Sequence, residues 1–466
     1  MKRYGPSLII LLCISLLNSS ELFGQTQQPN FLILLGDDIS AKNIGCYGSE
    51  NPNTTPHIDK LANEGILFKN MFVSEAICAP TRAELYTGLT PNSNGCNFNH
   101  AATKKGTLSI VQHLSSLGYR VGLTGKRHFS PASVYPFEFI DGFSKNANYN
   151  GTPPERWDGV EEFMNRDKNQ PFCLIICSVH AHAPWNAGDS SFWDPNTVVL
   201  PENFVDTKET REYFTEYLAE IRLFDQQVGK ARKLLEKNDL DSNTALIVLD
   251  ENGAGMPGSK WTTYDMGVRS ACIMKWPNRD NTKRVTTAIT QYCDILPTLI
   301  DAAGGDVPSN LDGKSLLPII RENATTHREY AYFLYNNKKE GPEYKMRAVT
   351  DGRFKLIWNR SPDSLYAIRV INGFDYGYVD KMEDRHVRKM YLSWLAKAGY
   401  DQDAGNIVQR YRKHPEFELY DLNEDPEEMN NLVNKPELDP KLNELKNVLL
   451  KWMEDQEDRF LPPKKT

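Results

Sequence analysis

The chain has 466 residues, 40% of them hydrophobic and 25% charged, with a formal net charge of −7. Such a composition is ordinary for a globular protein, and the length exceeds one compact core, so two domains or one large domain with an appendage are expected. The acidic balance argues against nucleic-acid binding, which needs a basic face, and leaves room for a small anionic substrate met by local cations.

At the N-terminus Lys2 and Arg3 precede an apolar run from Leu8 to Leu17. This reads as a secretory leader over residues 1–25, too short to span a bilayer. Cys13 lacks the preceding small residue of a lipoprotein signal. Export to a bacterial periplasm is the expectation, with secretion or a lysosome the eukaryotic counterparts. Removing the leader leaves Cys46, Cys78, Cys96, Cys173, Cys177, Cys272 and Cys293, an odd number, so at least one thiol is unpaired.

In chain order, NFLILLGDD (30–38) is a continuous apolar run ending in acids, the pattern of a buried parallel strand. TTPHIDKLANEG reads as a helix closed by Gly65, followed by the strand-like ILFKNMFV. TLSIVQHLSSLG is a second helix, and YRVGLTGK a strand after it. PFCLIICSVH and TALIVLDENG are two further strands. Between them Tyr213, Tyr217, Ile221, Phe224 and Val228 recur at helical spacing, which predicts a long helix covering the sheet. This alternation predicts an α/β fold with a mostly parallel central sheet flanked by helices.

From about residue 340 the texture changes. MRAVTDGRFKLIWN predicts a hairpin around Asp351-Gly352, EFELYDL a strand and PKLNELKNVLLKWMEDQ a closing helix. The expected division is a catalytic α/β domain over 26–340 and a smaller α+β domain with an antiparallel sheet over 341–466. A charged insertion at 360–412 is expected to shape a pocket rim.

In open α/β sheets, ligands bind beyond the carboxyl ends of the strands. Four runs end there in reactive side chains: Asp37 and Asp38; Lys126 and His128; His180 and His182; Glu251 and Asn252. Adjacent buried carboxylates repel unless a cation neutralises them, and an all-oxygen set with Glu251 and Asn252 suits a hard divalent ion, calcium before magnesium. Asp37-Asp38 alone reads better as a solvated acidic turn or helix cap. CAPTRAELYTG (78–88) places Cys78 at the start of a helix, with Pro80 in its first turn and Arg82 one turn on. Such a place lowers a thiol pKa, yet a thiolate beside a hard cation is an odd pairing, and the segment by itself fits a structural role as well.

CAPTRAELYTG resembles the sulfatase signature, in which Cys-x-Pro-Ser/Thr-Arg is followed by Thr-Gly. The resemblance continues through the Asp-Asp strand end, TPHIDKLANEGILF, TGKRH, HAHAPW, ENGAGMPGSK and ELYDLNEDPEEMNNL, in the family's order over nearly the whole mature chain. It implies an alkaline-phosphatase-like fold and conversion of Cys78 to formylglycine by a maturing enzyme. The aldehyde hydrate then attacks sulfur, and its second hydroxyl expels sulfate from the covalent intermediate. It further implies one calcium ion on Asp37, Asp38, residue 78, Glu251 and Asn252. Arg82, Lys126 and His128 hold and activate the diol; Lys260 and His182 clamp the sulfate, with His182 protonating the leaving group and His180 in support. The implied substrate is a sulfated mono-, oligo- or polysaccharide, O- or N-sulfated. Bacterial polysaccharide sulfatases and heparan N-sulfatase-like members are the nearest patterns.

Three positions depart from the family pattern: Glu251 where aspartate is commoner, Thr81 for serine, and Arg127 where an aromatic is frequent. Two other readings are weighed: a phosphonate or phosphodiester hydrolase of the same superfamily, and a sulfated-glycan binder that lacks catalysis. Trp185, Trp261 and Tyr264 are candidates for stacking on sugar rings.

Overall fold

The computed structural model describes residues 28–148, 150–280, 282–376 and 386–461. The leader read over residues 1–25 lies outside them. Its centre is an eight-stranded sheet in the order Arg284–Thr286, Ile66–Phe68, Cys272–Lys275, Thr244–Asp250, Asn30–Gly36, Phe172–Cys177, Arg120–Gly125 and Glu138–Phe139. All neighbours are parallel except the two pairings made by Cys272–Lys275. The expected mostly parallel α/β sheet is therefore present.

The continuous apolar runs follow from burial on both faces. Phe31, Ile33 and Leu35 enter one core, Leu32 and Leu34 the other. Each leucine removed from water contributes about 1.5–3 kcal/mol, which makes register hard to shift. The long helix spans Lys208–Lys237, capped by the Thr207 side chain accepting from the Thr210 N–H. Its buried stripe of Phe214, Tyr217, Ile221, Phe224 and Val228 lies on the same core as Leu32 and Leu34.

The run ILFKNMFV divides in two. Ile66–Phe68 joins the large sheet, whereas Met71–Phe72 pairs with Arg269–Ser270 and Thr290–Gln291 in a separate three-stranded sheet. The cause is a turn at Lys69-Asn70, pinned where Thr290 N–H donates to the Asn70 carbonyl at 2.9 Å. The turn delivers the chain to Cys78.

Ala331–Asn337, Tyr344–Thr350, Phe354–Asn359 and Phe417–Asp421 form an antiparallel sheet, with the hairpin at Asp351-Gly352 as expected. The closing helix, Asp439–Asp455, lays Leu442, Leu445, Leu449 and Met453 against Leu334, Val349, Leu356 and Leu419. The 360–412 segment is largely helical, with His386–Ala398 and Gln402–Arg412 its main helices. It packs on the long helix, where Trp394 Nε1 donates to Thr210 Oγ1 at 2.8 Å, and on the antiparallel sheet, where the Tyr366 ring lies against Tyr335 and Tyr344.

Where the two sheets meet, His414 is buried among Tyr264, Tyr344 and Tyr366, with Tyr264 Oη 2.9 Å from Nδ1. Burial lowers its pKa to about 4; Glu418 pulls the other way and Arg410 adds to the fall. The folded value lies below the unfolded one of about 6.5, so between these values the unfolded chain binds the proton and the folded chain does not. This group's share of stability is complete above pH 6.5 and is lost on acidification at about 1.4 kcal/mol per pH unit. His414→Gln is expected to flatten the pH dependence of the urea midpoint between pH 6.5 and 4. An unchanged slope refutes the assignment.

Candidate active site

Four adjacent strands carry the sequence-predicted residues to one edge. Gly36 is level with Asp250, and Leu35 and Gly125 are both level with Cys177. Asp37-Asp38, Lys126, His182 and Glu251-Asn252 therefore emerge side by side. Cys78 opens the helix Cys78–Thr87, whose ten residues are all buried and which ends at Gly88 in the left-handed conformation (φ 65°). Four non-glycine residues here also have positive φ: Asp38 (57°), His100 (60°), His128 (36°) and Trp261 (68°). Backbone in this region is costly for a side-chain-bearing residue and clusters at functional sites.

The charged groups interlock. Lys126 Nζ donates to both oxygens of Asp37 at 2.7 Å and lies 3.5 Å from Glu251 Oε2. Lys260 Nζ donates to both oxygens of Asp38 at 2.7 and 2.8 Å. Arg82 forks onto Glu251, Nε to Oε1 at 2.8 Å and Nη2 to Oε2 at 2.9 Å, and its Nη1 reaches the Lys126 carbonyl at 3.2 Å. Cys78 Sγ sits within this net, 2.9 Å from Lys260 Nζ, 3.4 Å from Lys126 Nζ and 3.8 Å from Asp38 Oδ1. Burial, and then the charge of Glu251, push the thiol up to about 12 against the pull of both lysines. This burial disfavours the plain thiolate nucleophile left open by the sequence.

His182 Nε2 stands 3.9 Å from Asp38 Oδ2, and its Nδ1 pairs with the Ala183 carbonyl at 2.7 Å. Burial, then Lys126, lower its pKa to about 3, and burial and Lys126 lower that of His128 to about 2. Both shifts favour the neutral imidazole. His180 stands apart: Nδ1 pairs with Glu220, and its carbonyl accepts from Asp37 N–H at 2.8 Å. It braces the aspartate strand end and does not line the cavity.

The residues fit a divalent cation. One ligand atom each from Asp37, Asp38, Cys78 and Glu251 lie within 4.8 Å of one another. Asn252 donates its amide to Asp38 Oδ1 at 2.9 Å, while its buried Oδ1 has no hydrogen-bond partner among the described residues. Burial pushes Asp37 well above the usual carboxylate range; Lys126 opposes this, and the charges of Glu251 and Asp38 reinforce it. A buried orphan carbonyl oxygen beside crowded carboxylates is a hard-cation environment. Glu251, the first departure, meets Arg82 with both oxygens. Arg127, the third departure, stacks its guanidinium 3.6 Å from the centre of the Phe139 ring.

Asp38, Cys78, Lys126, His128, His182 and Lys260 line a cavity of about 410 Å³. Clefts of about 760 and 920 Å³ lie elsewhere and contain none of the predicted site residues. Of the three candidate stacking aromatics, only Trp261 lines the cavity. Trp185 is fully buried against Tyr217, and Tyr264 is buried with His414, so both belong to the core. The walls add residues that no motif marks: Asn99, His100, Glu340, Arg369, Val370 and Val387. They come from loops and from the 360–412 helices, and only folding brings them here.

A buried thiol ringed by lysines, an arginine and carboxylates, at the carboxyl edge of such a sheet, suits the binding of a tetrahedral oxyanion. The sulfatase family model matches residues 29–305, and the chain belongs to the sulfatase family, the hydrolases of sulfuric esters. A second model, for the C-terminal part of N-sulphoglucosamine sulphohydrolase, matches residues 259–368. An ulvan-active sulfatase of Formosa agariphila is 29% identical over 444 residues, covering 93% of this chain and 81% of that one. Human N-sulphoglucosamine sulphohydrolase is 26% identical over 478 residues, covering 93% and 91%. Among solved structures, one bound to its substrate D-glucosamine-2-N,6-O-disulfate superposes with a TM-score of 0.69 at 21% identity, covering 94% and 100%. A phosphonate monoester hydrolase from Silicibacter pomeroyi superposes at 0.64 with 16% identity, covering 93% and 97%, which shows the shared fold.

Proposed function

We propose that this enzyme hydrolyses the sulfate ester or N-sulfate of a carbohydrate, a glycosaminoglycan or another sulfated glycan. The observation that carries the reading is residue 78, in direct contact with Lys126 and Lys260 and 3.8 Å from Asp38. The relatives that act on ulvan and on N-sulphoglucosamine support the substrate class.

In this reading Cys78 is converted to formylglycine, whose hydrate supplies one hydroxyl to attack sulfur and a second to release sulfate. Asp37, Asp38, Glu251 and Asn252 hold a calcium ion together with residue 78, and the bound ion supplies Lewis-acid polarisation of a sulfate oxygen. Lys260, placed between Asp38 and residue 78, holds the sulfate against the nucleophile. Lys126 and His128 orient the attacking hydroxyl, and Arg82 fixes Glu251 and the Lys126 loop. Burial favours a neutral His182; the negative charge of a bound sulfate raises its proton affinity, and it then protonates the leaving oxygen or nitrogen.

Residues 26–340 act as the catalytic unit and 341–466 as the unit that completes the pocket. All residues from Cys78 to Arg82 are buried, so the maturing enzyme reaches the segment before the chain folds. No helix among the described residues is long and apolar enough to cross a membrane. We read the chain as exported, to a bacterial periplasm.

The test is turnover of defined sulfated mono- and oligosaccharides by matured protein, beside matched phosphate and phosphonate esters. Preference for sulfate by about 10² or more in kcat/KM is expected. Preference for phosphonate moves the enzyme to the neighbouring branch, and binding without turnover leaves a lectin-like role.

A further inference from the structure

The floor of the cavity suits an anion, but one wall carries a carboxylate. Glu340 lies in the turn after the strand Ala331–Asn337 and lines the cavity, its side chain 10% exposed. The turn is built to hold it. Glu340 N–H donates to Asn337 Oδ1 at 3.2 Å, its carbonyl accepts from Arg369 N–H at 2.5 Å, and Asn337 Nδ2 donates to the Ala367 carbonyl at 3.0 Å. A Cβ on the next residue, Gly341, would lie 2.2 Å from that same Ala367 carbonyl, so the turn sits tightly on 367–369.

The carboxylate is also aimed. Asn99 Nδ2 donates to Oε1, and His100 Nε2 lies 4.0 Å from the same oxygen. The other His100 nitrogen, Nδ1, meets His128 Nε2 at 2.9 Å. A continuous line of side chains thus runs from the catalytic floor at His128, through His100, to Glu340. An ionised carboxylate is acceptor-only: it repels sulfate and binds hydroxyl or ammonium donors. A volume of about 410 Å³ is near the lower end of the ~300–1,000 Å³ usual for small-molecule sites, which suits one or two sugar rings.

We propose that Glu340, steadied by Asn99 and His100, accepts hydrogen bonds from the hydroxyls of the sugar that carries the sulfate. It would thereby select a saccharide over a simple sulfate ester. The inference rests on the carbohydrate sulfatase reading above.

The experiment compares matured wild type and Glu340→Gln on a sulfated saccharide and on 4-nitrophenyl sulfate, which has no sugar hydroxyls. Glutamine retains an Oε1 for Asn99 and loses only the charge. The ratio of the two kcat/KM values is expected to fall about 10–100-fold, the loss of a charge-assisted hydrogen bond or two. An unchanged ratio overturns the proposal, whether or not both rates decline together. Wild type that turns over the aryl sulfate but no saccharide overturns the carbohydrate reading itself, and this inference with it.

Discussion

Cys78→Ala, produced together with a formylglycine-generating enzyme, is expected to lose at least about 10⁴ in kcat on any sulfate ester, the usual scale for removing a nucleophile. Wild type produced in the same way is expected to weigh about 18 Da less than its sequence, the exchange of a thiol for an aldehyde, and Cys78→Ala to show no such deficit. Cys78→Ser isolates the second hydroxyl. Its single oxygen can accept SO3 but has no neighbour to expel it, so incubation with substrate is expected to leave an adduct of about 80 Da. Burial adds a condition on timing. Maturing enzyme added to folded, unmodified protein is expected to restore little activity, because Cys78 is 2% exposed and Arg82 fully buried. Full activity from unmodified Cys78, confirmed by intact mass, would end the formylglycine reading.

Glu251→Gln is expected to lower stability by about 3–5 kcal/mol, because it leaves the Arg82 guanidinium buried without its charge partner. Both side chains are fully buried, and the pairing uses both carboxylate oxygens. Burial opposes ionisation of Glu251, but Arg82 and Lys126 outweigh it and hold the carboxyl well below the ordinary range. Glu251→Asp keeps the charge and shortens the reach by one methylene, so a smaller loss of about 1–2 kcal/mol is expected. Urea unfolding with coincident fluorescence and circular-dichroism transitions measures both. The same variants test the cation site without an activity assay. Calcium is expected to raise the wild-type midpoint by mass action and to raise that of Glu251→Gln much less. Equal stabilisation of the two would remove Glu251 from the metal set.

Much of the fold was legible because burial on two faces writes itself plainly into a strand. NFLILLGDD, PFCLIICSVH and TALIVLDENG each carry an uninterrupted apolar run that ends where the chain reaches the polar edge. Less legible was ILFKNMFV, since two short strands of different sheets leave the same apolar pattern as one longer strand. The division depends on Asn70 meeting Thr290, a contact across 220 positions. The role of Trp185 was illegible for a similar reason. An aromatic three residues from a strand-end histidine looks like a stacking platform until the Tyr217 ring is found against it.

By itself the sequence determined the strand ends, the charge of the floor and the place of Cys78 at a helix start, because periodicity, turn chemistry and a short motif are local properties. Only the tertiary structure decided that Glu251 pairs with Arg82, that His100 touches His128, and that Glu340 closes the wall. These are meetings of groups 28 to 241 positions apart. Their partners are chosen by how helices and sheets pack, and packing is set by the whole core rather than by any stretch of the chain.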